Sequence, residues 1–268
     1  MVVAGDEICA SPLFARAADV ARLIWCTKRG LRDTVNEMLL YPERLMVSKY
    51  LDPLRILTGM GRRASALSMQ LAKKKRREDA KVALSRFALR PLNVNIGCGG
   101  QPFKDWLNLD LDSEAKADII WNVTDGLPFA SGACAFIYCE HFLEHLAIED
   151  GVRFLAECHR SLQERGVVRI GMPSAQEIVR HYFESDWANQ PWLEKYGFTW
   201  IKTRAEYINV CFREWGHQWL YDVEELQRRL REAGFTQIEI VKWGESRHFE
   251  LRNRETRIET LLICEATK

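Results

Sequence analysis

The sequence has no C-x-x-C pair, no uninterrupted apolar run long enough to cross a bilayer, no repeat and no low-complexity tract. Each shortage removes a class of protein. The eight cysteines stand singly at positions 9, 26, 98, 134, 139, 158, 211 and 264, without the close pairing of structural zinc sites or of a disulfide framework. They read as reduced core thiols. The most apolar stretch near the start, Leu13 to Cys26, is broken by Arg16, Asp19 and Arg22. No signal-peptide pattern precedes it, so a cytoplasmic location without a transmembrane segment is expected. What is present is a globular composition, with 47% apolar and 28% charged residues over 268 positions, enough for a full core.

The net charge of +1 conceals an imbalance. Residues 1–90 carry 18 Lys and Arg against 9 Asp and Glu, whereas residues 91–268 carry 20 against 28. The basic part could meet an anionic partner or surface, or simply pack on the acidic remainder of its own chain. Its apolar residues recur three and four apart, in Leu13, Ala17, Val20, Leu23 and Ile24, which predicts short helices. Lys73 to Arg77 is an unbroken basic run on a solvated helix face.

After Pro91 the texture changes to short β-rich runs alternating with amphipathic helices, the pattern of a mostly parallel α/β sheet. Strands are expected at 92–97, 107–111, 118–122, 135–139, 167–171, 237–242 and 260–266. A helix is expected from His141 to Leu162 and another from Val223 to Ala233, stopped by Gly234. The chain thus divides into a basic helical segment, 1–90, and a seven-stranded Rossmann-like domain, 91–268, with an insertion at about 173–221. Only Gly100 to Trp106 separates the first two strands, too little for a crossover helix, and helices before Pro91 are the candidates to cover the face left bare.

The first strand ends in Asn95-Ile96-Gly97-Cys98-Gly99-Gly100, where glycines let the backbone approach a ligand. A short glycine cluster is by itself no more than a tight turn. The second strand, Leu107 to Asp112, adds a carboxylate at its carboxyl end, placed to hold a ribose diol.

Over residues 92–268 the sequence resembles the class I S-adenosylmethionine-dependent methyltransferases, and among them bacterial proteins often encoded near polysaccharide genes. The resemblance runs through Asn95-Ile96-Gly97-Cys98-Gly99, Asn108-Leu109-Asp110, Leu127-Pro128-Phe129, Leu143-Glu144-His145-Leu146, Arg160-Ser161-Leu162, Gly166 with Met172-Pro173, and Ala233-Gly234-Phe235. It implies a Rossmann-like fold and S-adenosylmethionine as cofactor. Carried over by position, it implies that Asn95, Gly97, Cys98 and Gly99 form the cofactor loop and that Asp110, with Leu111 beside it, holds the ribose. Asn122 and Val123 then flank the adenine, and Cys139, Glu140 and His141 line the floor near the transferred methyl. Asn122 departs from the aspartate usual at this place, and its amide can donate where a carboxylate would accept.

A hydroxyl acceptor must also lose a proton, and the candidate bases are His141, His145 and His217, the last beside glycine in a loop before a helix start at Asp222. His141, Glu144 and His145 share one face of the expected helix, and His217 could complete a divalent metal site. That use ranks behind catalysis, and no metal ligand is assigned. The bland alternative is that His145 only satisfies a helix. The insertion is rich in aromatics, among them Trp187, Trp192, Trp200, Trp215, Tyr196 and Tyr207, which could floor an acceptor site or form a small cap core. These features together point to O-methylation of a sugar, glycan precursor or other small polar acceptor. An RNA methyltransferase using the basic segment and a non-catalytic cofactor-binding protein are the competing readings.

Overall fold

A computed structural model describes residues 70–87 and 91–268. The expected helices of residues 1–69, with Cys9 and Cys26, lie outside the described residues. The compact unit that holds the sheet extends from Met69 to Lys268.

Seven strands form one sheet: β1 (Leu92–Ile96), β2 (Leu107–Asp110), β3 (Ile119–Ile120), β4 (Cys134–Glu140), β5 (Leu162–Met172), β6 (Gln237–Ile240) and β7 (Leu262–Thr267). Their order is β3-β2-β1-β4-β5-β7-β6, parallel except for β7, which runs antiparallel to both β5 and β6. Strand order reverses between β1 and β4, and in open α/β sheets ligands bind at the carboxyl ends of the strands flanking that point. Gly97 and His141 follow those two ends.

Alternate strand residues separate the two faces. Val94, Ile96, Leu107, Leu109, Ile137 and Cys139 enter one large apolar cluster. Helices cover this face: α1 (70–85) through Ala80 and Ala83, α2 (Ile148–Ser161) through Phe154, Leu155 and Cys158, and α6 (Val223–Glu232) through Leu226 and Leu230. The helix α6 starts as expected, with the Asp222 side chain accepting from Glu225 N, and Gly234 ends the turn behind it at φ 104°. Among the described residues no α-helix contributes to the apolar cluster of the opposite face. Phe103, Trp106, Phe136, Tyr138 and Leu251 pack there, and the Arg254 guanidinium lies over the Phe103 and Trp106 rings. Further along, Arg169 is fully buried between Glu255 and Glu265.

Of the helices expected before Pro91, α1 is the one among the described residues, and it joins the helical face rather than the bare one. The short β1–β2 connection covers its own side with aromatics. Two buried amides brace it: Asn95 Nδ2 donates to Asn108 Oδ1 at 3.1 Å and Gln101 O at 3.2 Å, and Asn108 Nδ2 donates to Phe103 O and Trp106 O.

The position of α1 depends partly on charge. Lys73 Nζ lies 2.6 Å from Asp125, and Arg76 reaches the other oxygen at 3.4 Å. Burial alone would raise the Asp125 carboxyl, but hydrogen bonding and charge from Lys73 and Arg76 outweigh it and hold it below the usual range. A carboxyl lowered in the folded state adds stability that is present above its unfolded pKa of about 3.9 and is lost as pH falls through the folded value. The groups are partly solvated, so the gain is below about 1 kcal/mol. Asp125→Asn at neutral pH is expected to speed hydrogen exchange in α1 and leave the sheet unchanged. Unaltered exchange would mean that the apolar contacts of Ala80 and Ala83 alone hold the helix.

The inserted residues form a cap of three helices, α3 (Ala175–Glu184), α4 (Pro191–Lys195) and α5 (Arg204–Arg213). Their core is separate from that of the sheet and contains Ile178, Leu193, Ile201, Tyr207 and Val210, with Trp187 and Trp192 packed on it. No helix among the described residues is long and apolar enough to cross a membrane. The six described cysteines are all buried and free.

Candidate active site

The chain leaves β1 through Gly97 (φ 71°) and Gly99 (φ 48°), conformations that side-chain-bearing residues adopt at a cost. A Cβ on Gly97 would lie 2.5 Å from Phe142 Cδ2, so glycine is required there by contact as well as by backbone angle. A Cβ on Gly99 would meet nothing within 4 Å. The loop is tied to the end of β2, where Asp110 Oδ2 accepts from Gly99 N at 2.8 Å and Oδ1 from Asp112 N at 2.9 Å. Leu111, beside it, is exposed. At the end of β3 the Asn122 Oδ1 accepts from Thr124 N and Thr124 Oγ1, capping a 3-10 turn at Val123–Asp125 and leaving its NH2 as the group still able to donate. Val123 is buried in the core.

Three expected cofactor contacts are placed differently. The Asn95 amide is occupied in bracing the β1–β2 loop, and its side chain is buried. Cys139 has no exposed surface and points into the apolar core, so only its main chain borders the strand end. Cys98 is also buried, and burial, helped by the charges of Asp110 and Asp118, raises its thiol to about 11.

Glu140 serves the opposite face instead of a cofactor floor. Its Oε1 accepts from Thr256 N at 2.9 Å, Arg257 N at 3.2 Å and Thr260 Oγ1 at 2.7 Å, and its Oε2 from Thr256 N and Thr256 Oγ1. It thereby fixes the loop that bears Arg257, Ile258 and Glu259. Neighbouring residues on a strand face opposite ways, so Glu140 leaves β4 on the side away from Cys139.

The expected helix from His141 to Leu162 is broken into two pieces. His141 has φ 48°, a 3-10 turn spans Leu143–His145, Leu146 and Ala147 are extended, and α2 begins at Ile148. His141, Glu144 and His145 are therefore brought together by a turn and not by one helical face. The loop after α5 docks on this turn: Gln218 N and Trp219 N donate to Glu144 O, and Gln218 Nε2 donates to His145 O. His217 arrives beside His145 with ring centroids 5.0 Å apart. Trp215, two residues earlier, sits at φ 57°. Non-glycine residues in the left-handed region store strain and cluster at functional sites.

The electrostatics follow from burial. His217 Nδ1 lies 2.7 Å from Cys211 O, so this nitrogen carries the hydrogen and donates it, leaving Nε2 with its lone pair. Burial pulls His217 and His145 below the ordinary histidine range, and the neighbouring His217 and Arg257 add to the effect on His145. Burial with the Arg257 charge pushes His141 down to about 3. Glu144 is completely buried with neither carboxylate oxygen hydrogen-bonded, and burial pushes it up to about 8. His141 Nδ1 lies 3.5 Å from Glu144 Oε1.

These imidazoles open on a cavity of about 510 Å³ between the carboxyl end of β4 and the cap. Trp192, Tyr196, Tyr207 and Trp215 supply its aromatic lining, and Arg257 and Glu259 also border it. Trp187 stays in the cap core and Trp200 is more than half exposed, so the aromatic density divides between packing and the cavity.

No curated protein matches the chain. Among solved structures it is similar to an S-adenosylmethionine-dependent methyltransferase from Archaeoglobus fulgidus, at 15% identity over 72% of this chain and 94% of the other, with a TM-score of 0.43. It is also similar to one from Thermotoga maritima, at 18% identity, 69% and 87% coverage and 0.42, and to the YcgJ protein of Bacillus subtilis, at 10%, 71% and 98%, and 0.40. Residues 94–170, from β1 through most of β5, match the protein family described as Methyltransferase domain. With the sheet order and the glycine loop facing Asp110, the chain carries a methyltransferase domain and is an S-adenosylmethionine-dependent methyltransferase.

Proposed function

We propose that this enzyme methylates a hydroxyl of a sugar, a glycan precursor or another small polar acceptor held in the cavity under the cap. The observation that carries this reading is the convergence of His141, His145 and His217 on an aromatic-walled cavity next to the carboxyl end of β4. Aromatic faces stack on the C–H groups of a sugar ring, while indole N–H and phenol O–H groups remain for its hydroxyls.

The residues around the first three strand ends fit the cofactor. Gly99 leaves open space before Asp110, whose carboxylate can accept from two ribose hydroxyls, and Leu111 offers an exposed apolar surface beside it. The NH2 of Asn122, whose Oδ1 is taken by Thr124, can donate to an adenine nitrogen. When bound, S-adenosylmethionine supplies a methyl carbon already activated by its sulfonium, which leaves positioning and proton removal to the protein. His217 is suited to the second task, since its Nδ1 is fixed on Cys211 O and its Nε2 can take the hydroxyl proton. His145 packs edge-on against it, and Arg257 forms part of the wall.

Incubation with hydroxylated candidates, including nucleotide sugars and lipid-linked glycans, is expected to release S-adenosylhomocysteine with one methyl added to oxygen, read by mass spectrometry. Transfer to RNA alone would overturn this acceptor assignment. Glu140→Ala tests the wall of the same cavity. Loss of a carboxylate accepting several hydrogen bonds should cost about 3 kcal/mol of local order and raise the acceptor KM roughly tenfold or more. Cofactor affinity should be unchanged, and an equal loss of both affinities would show that Glu140 acts beyond the 256–260 loop.

A further inference from the structure

We propose that Glu144, His145 and His217 bind one divalent transition-metal ion of the zinc type, with its remaining coordination positions open to the acceptor cavity. Among the described residues these three form a group in which one ligand atom from each lies within 4.8 Å of the others. Two imidazoles and one carboxylate make a set that suits zinc and its neighbours better than magnesium, which takes oxygen ligands.

Two independent observations point the same way. Glu144 has no exposed surface, and both of its carboxylate oxygens lack any hydrogen-bond partner. A buried carboxyl group left in this condition loses several kcal/mol of hydration without return, and a bound cation would supply what is missing. His217 is held as metal-ligating histidines usually are, with one ring nitrogen donating to a main-chain carbonyl and the other presenting its lone pair. The peptide around the group is also clamped, since Gln218 and Trp219 are bonded to the carbonyls of Glu144 and His145. His145 and His217 line the cavity, and Glu144, fully buried, is grouped with them behind its wall. Three protein ligands with an open side are the arrangement of catalytic sites rather than closed structural ones.

The consequence for the reaction rests on the acceptor reading above. A hydroxyl oxygen bound to the ion would be acidified and would release its proton to water, and His217 would act as a ligand in place of a base. The ion itself can be tested without any acceptor. The full chain, stripped with chelator, is titrated with zinc chloride alone by calorimetry and with cobalt(II) followed by visible absorption. One equivalent is expected, with a cobalt spectrum free of thiolate charge transfer. Affinity should fall at least about 100-fold in both Glu144→Gln and His217→Gln. The second variant replaces a half-buried loop residue, so it reports on the site even if the first fails to fold. Absence of stoichiometric binding, unchanged affinity in His217→Gln, or a thiolate band would overturn the site. Failure to find any hydroxyl acceptor would leave these binding results standing and would count against the acceptor reading alone.

Discussion

Gly97→Val is expected to abolish S-adenosylmethionine binding, and Asp110→Ala to weaken it by roughly 100-fold or more. The first effect is steric. At φ 71° a β-branched residue is disfavoured, and its Cβ would begin 2.5 Å from the Phe142 ring, a distance at which the backbone must move. The second effect removes a carboxylate that fixes Gly99 N and Asp112 N and is placed to receive the ribose hydroxyls. Hydrogen bonds to a charged group are worth about 1.5–3 kcal/mol each, so two lost bonds exceed the 2.7 kcal/mol or so that a hundredfold change requires. Gly99→Ala separates the causes, because the new methyl meets no protein atom and acts only through its φ of 48° and the space before Asp110. It should lower the melting temperature by no more than a few degrees, the cost of alanine at φ 48°, while lowering affinity as well. Calorimetric titration checks all three. If Gly97→Val and Asp110→Ala both kept wild-type affinity, the cofactor would be held elsewhere.

What the sequence disclosed follows from the range of the interactions involved. The glycine loop, Asp110 and the Asp222 start of α6 are local signals, each readable from adjacent residues and each present at the expected place. The seven strands were legible for the same reason, through apolar runs bounded by turns. Glu140 was not, because its partners Thr256 and Thr260 stand more than a hundred positions away. The break between His141 and α2 was missed since Phe142, Leu143 and Leu146 satisfy a helical period. Docking of Gln218 and Trp219 on the Glu144 carbonyl now occupies a group that a continuous helix would have used. Asn95 was ambiguous in kind: an amide at a strand end can face a ligand or brace a loop. The distant carboxamide of Asn108 decided between the two.

The grouping of His217 with His145 and Glu144 leads to the second large effect. His217→Ala is expected to lower kcat by about 100- to 10,000-fold, the range that a positioned proton acceptor contributes, with cofactor affinity unchanged. The affinity should survive because His217 belongs to the loop after α5, on the cap side of the cavity, while the residues proposed to hold the cofactor follow β1, β2 and β3. His145→Ala serves as the comparison. Its main-chain carbonyl still accepts from Gln218, so the loop stays docked while one imidazole is removed. Free imidazole in the assay gives the sharper test: if His217 takes the acceptor proton directly, imidazole diffusing into the space left by the alanine should restore part of the lost turnover. If His217 instead holds an ion, recovery should require added divalent metal and should fail in Glu144→Gln. A His217→Ala enzyme with near-normal kcat would remove His217 from the reaction under either role.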